Sequence, residues 1–430
     1  MTLVLLFAAL LALITLGFPI LVAIGVMALG GIVLSQNLVP AMFPQKVFAM
    51  LDSFGLLALP YFILAGELMS RGGLSKKLVE FAETVVGHLR GGLGHASVVA
   101  SMIFAGVSGS STADTSAIGS ILIPSMKVRG YKPGFAAALV ACAGTIGAII
   151  PPSMTMIVYG SMTGVSIGAL FLGGILPGIT IGIGLMIVIF AYSFRPDFEE
   201  LRRTTGRFEI RRVLPALMRV WLALLAPAII IGGILTGVFT ATEAGVVASV
   251  YSFIVAMFVY RILSWRDLPH VLIDTAVTSA MVVGIIGVAG ALGWLLAYLD
   301  FNDVVLRLVQ GISGSGTVVL MMLLGLMLIL TMFIESLAVM VVLVPVIMFV
   351  AKQYDYDPVH LGILITMVTQ IGATTPPVAV LLFVATSIAG TTYDQTVRYC
   401  WAFILAEVAV LILVAFVPWI ATAIPHYFLG

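Results

Sequence analysis

Ile146-Gly147-Ala148-Ile149-Ile150-Pro151-Pro152 and Ile371-Gly372-Ala373-Thr374-Thr375-Pro376-Pro377 are two copies of one pattern, Ile-Gly-Ala-x-x-Pro-Pro, set 225 residues apart in a chain of 430. Each copy lies inside a long apolar stretch. Proline has no amide hydrogen and its ring collides with the preceding turn, so a proline pair ends a helix there. Upstream, Tyr131-Lys132-Pro133 pairs with Tyr356-Asp357-Pro358 at the same offset of 225 residues. Eighteen residues separate Pro133 from Pro151, and eighteen separate Pro358 from Pro376. Chance likeness between two proline-bearing helices is the competing explanation, and the shared spacing argues against it. An apolar helix interrupted at corresponding places in two halves marks the binding site of a secondary transporter.

The rest of the chain fixes its solvent. It is 61% hydrophobic and only 9% charged, against about 25% charged residues in a soluble domain. Many apolar runs reach the ~20 residues that cross a bilayer as a helix. The fold class expected is therefore an all-α polytopic membrane protein embedded in the lipid bilayer. A net charge of +1 gives no ground for nucleic-acid binding. Cys142 and Cys400 sit in apolar helical sequence and read as small core residues rather than a disulfide. The first apolar run has no basic leader or small-residue cleavage site before it, so it reads as a retained helix. The longest polar stretch, 195–219, is too short to fold alone.

The apolar runs fall into two halves. In the first, 3–34 breaks at Gly17-Phe18-Pro19, 36–52 is interfacial, 54–70 spans, and 74–89 is amphipathic. Residues 92–107 and 115–127 are half-length helices around Ser108-Gly109-Ser110-Ser111-Thr112-Ala113-Asp114. They read as a re-entrant hairpin, which a membrane tolerates only where protein or water covers the tip. The broken helix covers 133–163, and 168–194 spans. In the second half, spans at 219–237, 243–262 and 273–298 precede a surface helix at 302–310. Residues 316–333 and 337–351 form a hairpin around Ile334-Glu335-Ser336, 358–390 is the second broken helix, and 398–424 is the last span. The expected organisation is a first repeat over 1–194 with its hairpin at 92–127, a basic loop and linking span over 195–237, and a second repeat over 238–430 with its hairpin at 316–351. Between the hairpins the offset drifts, to 221 at Pro124 and Pro345 and to 227 at Ser108 and Glu335. This implies an insertion of a few residues between hairpin and broken helix.

Charge sets orientation. Residues 195–219 hold seven arginines against four acids, which places them in the cytoplasm. The ends of the first hairpin carry Lys76, Lys77, Arg90, Lys127, Arg129 and Lys132, and belong on the same side. The ends of the second carry Asp300, Asp303, Asp355 and Asp357, and belong on the other. The two repeats are thus expected to be inverted.

A hairpin tip facing a helix break gathers hydroxyls and unpaired carbonyls, which suit a hard cation, while half-helix N-termini suit an anion. The first Na⁺ site is expected at Ser108, Ser110, Ser111, Gly144, Gly147 and Pro151. The second is expected at Glu335, Ser336, Thr369, Gly372, Thr374 and Pro376. An anionic substrate between them would meet Ser111, Thr112, Asp114, Pro152, Ser153, Thr375 and Pro377. The absence of a His or Cys cluster favours Na⁺ over a transition metal. The plainer explanation is that Gly, Ser and Thr serve only close helix packing. Asp114 is also placed to cap the helix after the tip, and Glu335 to titrate, ligate Na⁺ or cap. An enzyme is the remote alternative: Gly106-Val107-Ser108-Gly109 has the form of an intramembrane serine protease nucleophile, with His360 as its base. His360 aligns with Phe135 at a membrane edge, which sets it far from the tip. Nothing forms the ring of pore-lining charges expected of a channel.

Gly106-Val107-Ser108-Gly109-Ser110-Ser111-Thr112-Ala113-Asp114, Gly130-Tyr131, Phe135-Ala136-Ala137-Ala138 and Ile149-Ile150-Pro151-Pro152-Ser153 resemble the large membrane subunit (DctM or SiaM type) of tripartite ATP-independent periplasmic (TRAP) transporters. Pro60-Tyr61-Phe62-Ile63-Leu64-Ala65-Gly66-Glu67-Leu68-Met69 and Gly233-Ile234-Leu235-Thr236-Gly237-Val238-Phe239-Thr240-Ala241-Thr242-Glu243-Ala244 extend the likeness over nearly the whole chain. The resemblance implies an ion-transporter-superfamily fold in which hairpins and broken helices slide as an elevator against a scaffold. It implies Na⁺-driven uptake of an organic acid such as a C4-dicarboxylate or sialic acid across the bacterial inner membrane. It also implies a small four-helix membrane subunit and a periplasmic substrate-binding protein as partners. A stand-alone Na⁺- or H⁺-coupled carboxylate transporter of the same fold is the alternative. Counting spans puts the N-terminus in the cytoplasm and the C-terminus outside. Reporter fusions at the two ends should therefore report opposite sides, and termini on one side would remove this topology.

Overall fold

The computed structural model describes residues 2–35, 38–71, 74–202, 209–261 and 263–429. Among them there is no strand. The first half runs α1 (Thr2–Thr15), α2 (Ile20–Leu34), α3 (Met42–Leu51), α4 (Ala58–Arg71), α5 (Leu74–Val86), α6 (Gly92–Ser108), α7 (Ser111–Val128), α8 (Pro133–Gly144), α9 (Met154–Thr163) and α10 (Ile167–Tyr192). Two linking helices follow, α11 (Ile210–Leu235) and α12 (Ala241–Ile254). The second half runs α13 (Leu268–Tyr298), α14 (Phe301–Ile312), α15 (Gly316–Thr331), α16 (Ser336–Gln353), α17 (Pro358–Thr374), α18 (Val380–Ala389), α19 (Tyr393–Phe416) and α20 (Trp419–Leu429). Seven described helices are long and apolar enough to cross a membrane. The protein is an all-α polytopic membrane protein.

Several boundaries differ from those expected. α7 begins at Ser111, not at 115, because the Ser110 hydroxyl accepts the Ala113 amide hydrogen and caps the helix there. The hairpin tip shrinks to Gly109, whose φ of +65° suits glycine, and Ser110. α11 starts at Ile210 rather than 219, so Arg211, Arg212 and Arg219 ride on helical turns. Arginine is a good helix former whose charge stays in water while its stem lies along the helix. Arg203 and Arg207 of the basic loop lie outside the described residues. The last span stops at Phe416, and α20 packs separately against α10. Pro418, which cannot continue a helix, sits in that break.

The helices of the two halves correspond in order. α7 and α16 are each eighteen residues long and start at Ser111 and Ser336, 225 residues apart. α8 and α17 start at Pro133 and Pro358, again 225 apart. No insertion separates hairpin from broken helix, and the partner of Glu335 is Ser110, not Ser108. Pro124 and Pro345 simply occupy different turns of matching helices.

The core closes around α8. Every residue from Gly134 to Gly144 is buried, and Ala136-Ala137-Ala138 admits close neighbours in the way small residues do in membranes. At its start, the Phe135 ring lies 5.0–6.0 Å from those of Phe198, Tyr192, Phe403 and Tyr399. Cys142 and Cys400 are both free and buried. Opening a void by Phe135→Ala should destabilise the protein by about 3 kcal/mol. A drop in the thermal unfolding midpoint of the detergent-purified protein would register it, whereas an unchanged midpoint would show that the aromatic cluster contributes little.

Candidate functional site

Each hairpin tip sits on the break of its own half, through matching contacts. In the first half the Ser111 hydroxyl points to the Thr145 carbonyl at 3.4 Å, and the Met154 amide, just past the prolines, donates to the Gly109 carbonyl at 3.3 Å. In the second, the Ser336 hydroxyl donates to the Thr369 carbonyl at 2.9 Å, and the Val378 amide donates to the Met332 carbonyl at 3.2 Å. Both breaks contain a cis peptide, Pro151-Pro152 and Pro376-Pro377. The caps match too: Ser110 receives the Ala113 amide and Glu335 receives the Ala338 amide. Of the three roles open to Glu335, the observed one is helix capping.

Asp114 does not cap α7, because Ser110 does. Its carboxylate is fully buried and takes the Ser108 hydroxyl as one partner. Its other oxygen has no hydrogen-bond partner and faces Gly147. The glycines of the breaks are close-approach positions. A methyl on Gly144 would strike Thr115, one on Gly147 would strike Asp114, and one on Gly372 would strike Thr331.

A cavity of about 210 Å³ opens between the two tips. Ser110, Ser111 and Thr112 line it from the first tip, and Glu335 and Ser336 from the second. Gln370 and Thr155 add polar groups from the broken helices, one from each half. The Ser111 hydroxyl donates to Gln370 Oε1 at 2.7 Å, joining the first tip to the second broken helix. α7 and α16 both start at this cavity, so their free N–H ends bear on it.

Other expected substrate contacts lie elsewhere. Asp114 is sealed beneath the tip. Ser153 is fully buried, caps α9 through the Met156 amide and donates to the Ala148 carbonyl. The Pro152 carbonyl backs onto Gly109. Thr375 donates to Ile371 in its own helix at 2.7 Å, and Pro377 is exposed, its carbonyl accepting from Tyr393 at 2.8 Å. Pro151 and Pro376 form the breaks themselves. Ser108 and His360 do not meet: Ser108 bonds Asp114, while His360 Nε2 bonds the Val414 carbonyl at 2.9 Å.

Thr155, Gln370 and Glu407 are not marked out by the sequence motifs. Glu407 lies within the 24-residue apolar helix α19 and has no exposed surface. Thr145 donates to one carboxylate oxygen at 2.8 Å and Thr374 approaches the other at 3.5 Å. An ionisable residue deep in an apolar span was the available signal.

Comparison with known proteins adds the following. Residues 7–420 match the family described as "Tripartite ATP-independent periplasmic transporter, DctM component". The chain is 38% identical to the isethionate TRAP transporter permease protein DctMQ of Oleidesulfovibrio alaskensis, over 96% of this chain and 64% of that protein, so it spans less than two thirds of that relative. It is 36% identical to the C4-dicarboxylate TRAP transporter large permease protein DctM of Pseudomonas aeruginosa, over 89% of this chain and 88% of that one. Among solved structures, it is similar in fold to MtrF of Neisseria gonorrhoeae, with a TM-score of 0.59, 12% identity and coverage of 88% of this chain and 84% of that chain.

The close approach of tip to break is directly testable. Gly147→Ala overpacks the site and should cut uptake by reconstituted protein by about tenfold or more. Gly30→Ala, where a methyl meets nothing within 4 Å, should leave uptake unchanged. Equal activity of the two variants would show that the close approach at Gly147 is dispensable.

Proposed function

We propose, from the premise that this chain belongs to the DctM family of tripartite ATP-independent periplasmic transporters, that it imports an organic acid by Na⁺-coupled secondary transport. It is a transport protein and not an enzyme. The observation that carries the proposal is the shared cavity. Two hairpin tips open onto it with hydroxyls, carbonyls and two helix N-termini, and none of its lining residues is a Lys, Arg or His. An anion there would be held by N–H ends and hydroxyls, with nearby cations supplying the positive charge. Neutral oxygens at the breaks are the ligands Na⁺ takes, and Glu335 adds a carboxylate on the second side.

The charge balance supports the same reading. Moving one charge through the membrane is worth roughly 2.3 kcal/mol per 100 mV. A C4-dicarboxylate carries two negative charges inward against an inside-negative potential, so two Na⁺ cancel that cost and a third gains from the potential. The two related breaks provide the two sites. C4-dicarboxylates, sialic acid and related carboxylates are the substrate class. The hairpins and broken helices form the moving unit of an elevator, the two repeats are inverted, and the protein works in the bacterial inner membrane. A small four-helix subunit and a periplasmic binding protein complete the complex.

Uptake into proteoliposomes with the partner subunits tests this. Removing Na⁺ should abolish accumulation. Ser110→Ala and Thr374→Ala should each raise the Na⁺ concentration needed for half-maximal uptake. An unchanged requirement in both variants would take these side chains out of the proposed sites, and uptake indifferent to Na⁺ in the unmodified protein would overturn the coupling itself.

A further inference from the structure

Glu407 is the only residue whose side chain hydrogen-bonds to both helix breaks among the described residues. Its surroundings define what it does. α19 presents Cys400, Phe403, Glu407, Val410 and Val414 as one buried stripe, so the carboxylate enters the core at the middle of a span. No Lys, Arg or His forms an ion pair with it among the described residues. Its hydrogen-bond partners are two threonines from different halves of the chain. Thr145 opens the 3-10 turn Thr145–Ala148, and Thr374 is the last helical residue before Pro376.

Each threonine has a second acceptor. Thr145 lies 2.7 Å from the Cys142 carbonyl and 2.8 Å from Glu407. Thr374 lies 2.8 Å from the Ile371 carbonyl and 3.5 Å from Glu407. A hydroxyl has one hydrogen, so each threonine divides its donation between its own helix and the carboxylate. The contacts are unequal, with Glu407 drawn toward the first break. A change of hydroxyl orientation at one break therefore alters what Glu407 offers to the other. No other described side chain provides such a route between Thr145 and Thr374.

We propose that Glu407 is a positioning residue that couples the two breaks: by accepting from Thr145 and Thr374 together, it makes the geometry of one ion site depend on the occupancy of the other. The inference rests on the reading of the breaks as Na⁺ sites. Its function lies in the bridge of hydrogen bonds rather than in contact with ion or substrate. Loss of the bridge leaves both sites present but independent.

The test is Na⁺-dependent uptake by the complete reconstituted transporter. The unmodified protein should respond sigmoidally, with a Hill coefficient approaching about 2 for two coupled sites. Glu407→Ala should lower that coefficient toward about 1 and raise the half-saturating Na⁺ concentration by about tenfold. Glu407→Gln keeps one oxygen for Thr145 and offers its amide to the Thr374 oxygen, so it should restore most of the cooperativity. A purely structural role would lower the amount of active protein and the maximal rate at an unchanged Hill coefficient, and that result would overturn the proposal. Should Glu407→Ala fail to fold, Thr145→Val and Thr374→Val carry the test: each alone should reduce cooperativity, and the double variant should be no worse than either. Independent, additive effects of the two would also overturn it. A Na⁺-dependent unmodified protein with an unaltered Glu407→Ala response sinks the coupling alone. An unmodified protein indifferent to Na⁺ removes both the coupling and the reading beneath it.

Discussion

A helix broken inside a bilayer leaves amides and carbonyls that no water can satisfy, and the arrangement of this protein follows from that need. Pro151-Pro152 ends a helix at a buried place, and Pro376-Pro377 ends one beside the buried Thr374 and Thr375. The freed groups then find partners on a hairpin tip. Ser111 and Ser336 reach the carbonyls before the break, and the tip carbonyls of Gly109 and Met332 take the amides after it. The first tip in turn uses short polar residues that can both cap a helix and approach a backbone, and is written in serine, glycine and threonine. Satisfaction of the backbone and lining of the cavity between the tips both draw on Gly109, Ser111 and Ser336.

The local features were legible in the sequence for local reasons. A proline pair, an apolar run of half span length and a cluster of small polar residues each act on their own segment, so breaks, hairpins and spans could be placed from residues alone. Boundaries failed where capping decided them. Ser110 starts α7 four residues earlier than the polar composition of its first turn suggested. Glu335 corresponds to Ser110 because each caps the helix that follows its tip. A likeness drawn through Pro124 and Pro345 misled because proline position within a helix need not repeat.

Gln370 and Glu407 illustrate a different limit. Gln370 bonds a residue 259 positions away and Glu407 one 262 positions away. No spacing rule connects them to their partners, since the connection is made by packing of helices from opposite halves. Asp114 reads in the sequence as a helix cap or a substrate contact, and the cap is Ser110 instead. The burial of Asp114 under the tip and its approach to Gly147 depend on how closely α7 meets the broken helix.

The cross-half bonds also bear on the order of assembly. Gln370 and Glu407 take their closest hydrogen bonds from the first half, so the second half does not close its own polar interior. The second half inserted alone would leave Gln370 without Ser111 and Thr155, and Glu407 with only the 3.5 Å approach of Thr374. The second half therefore buries its polar groups only once the first is in place, the order in which a chain made from its N-terminus supplies them.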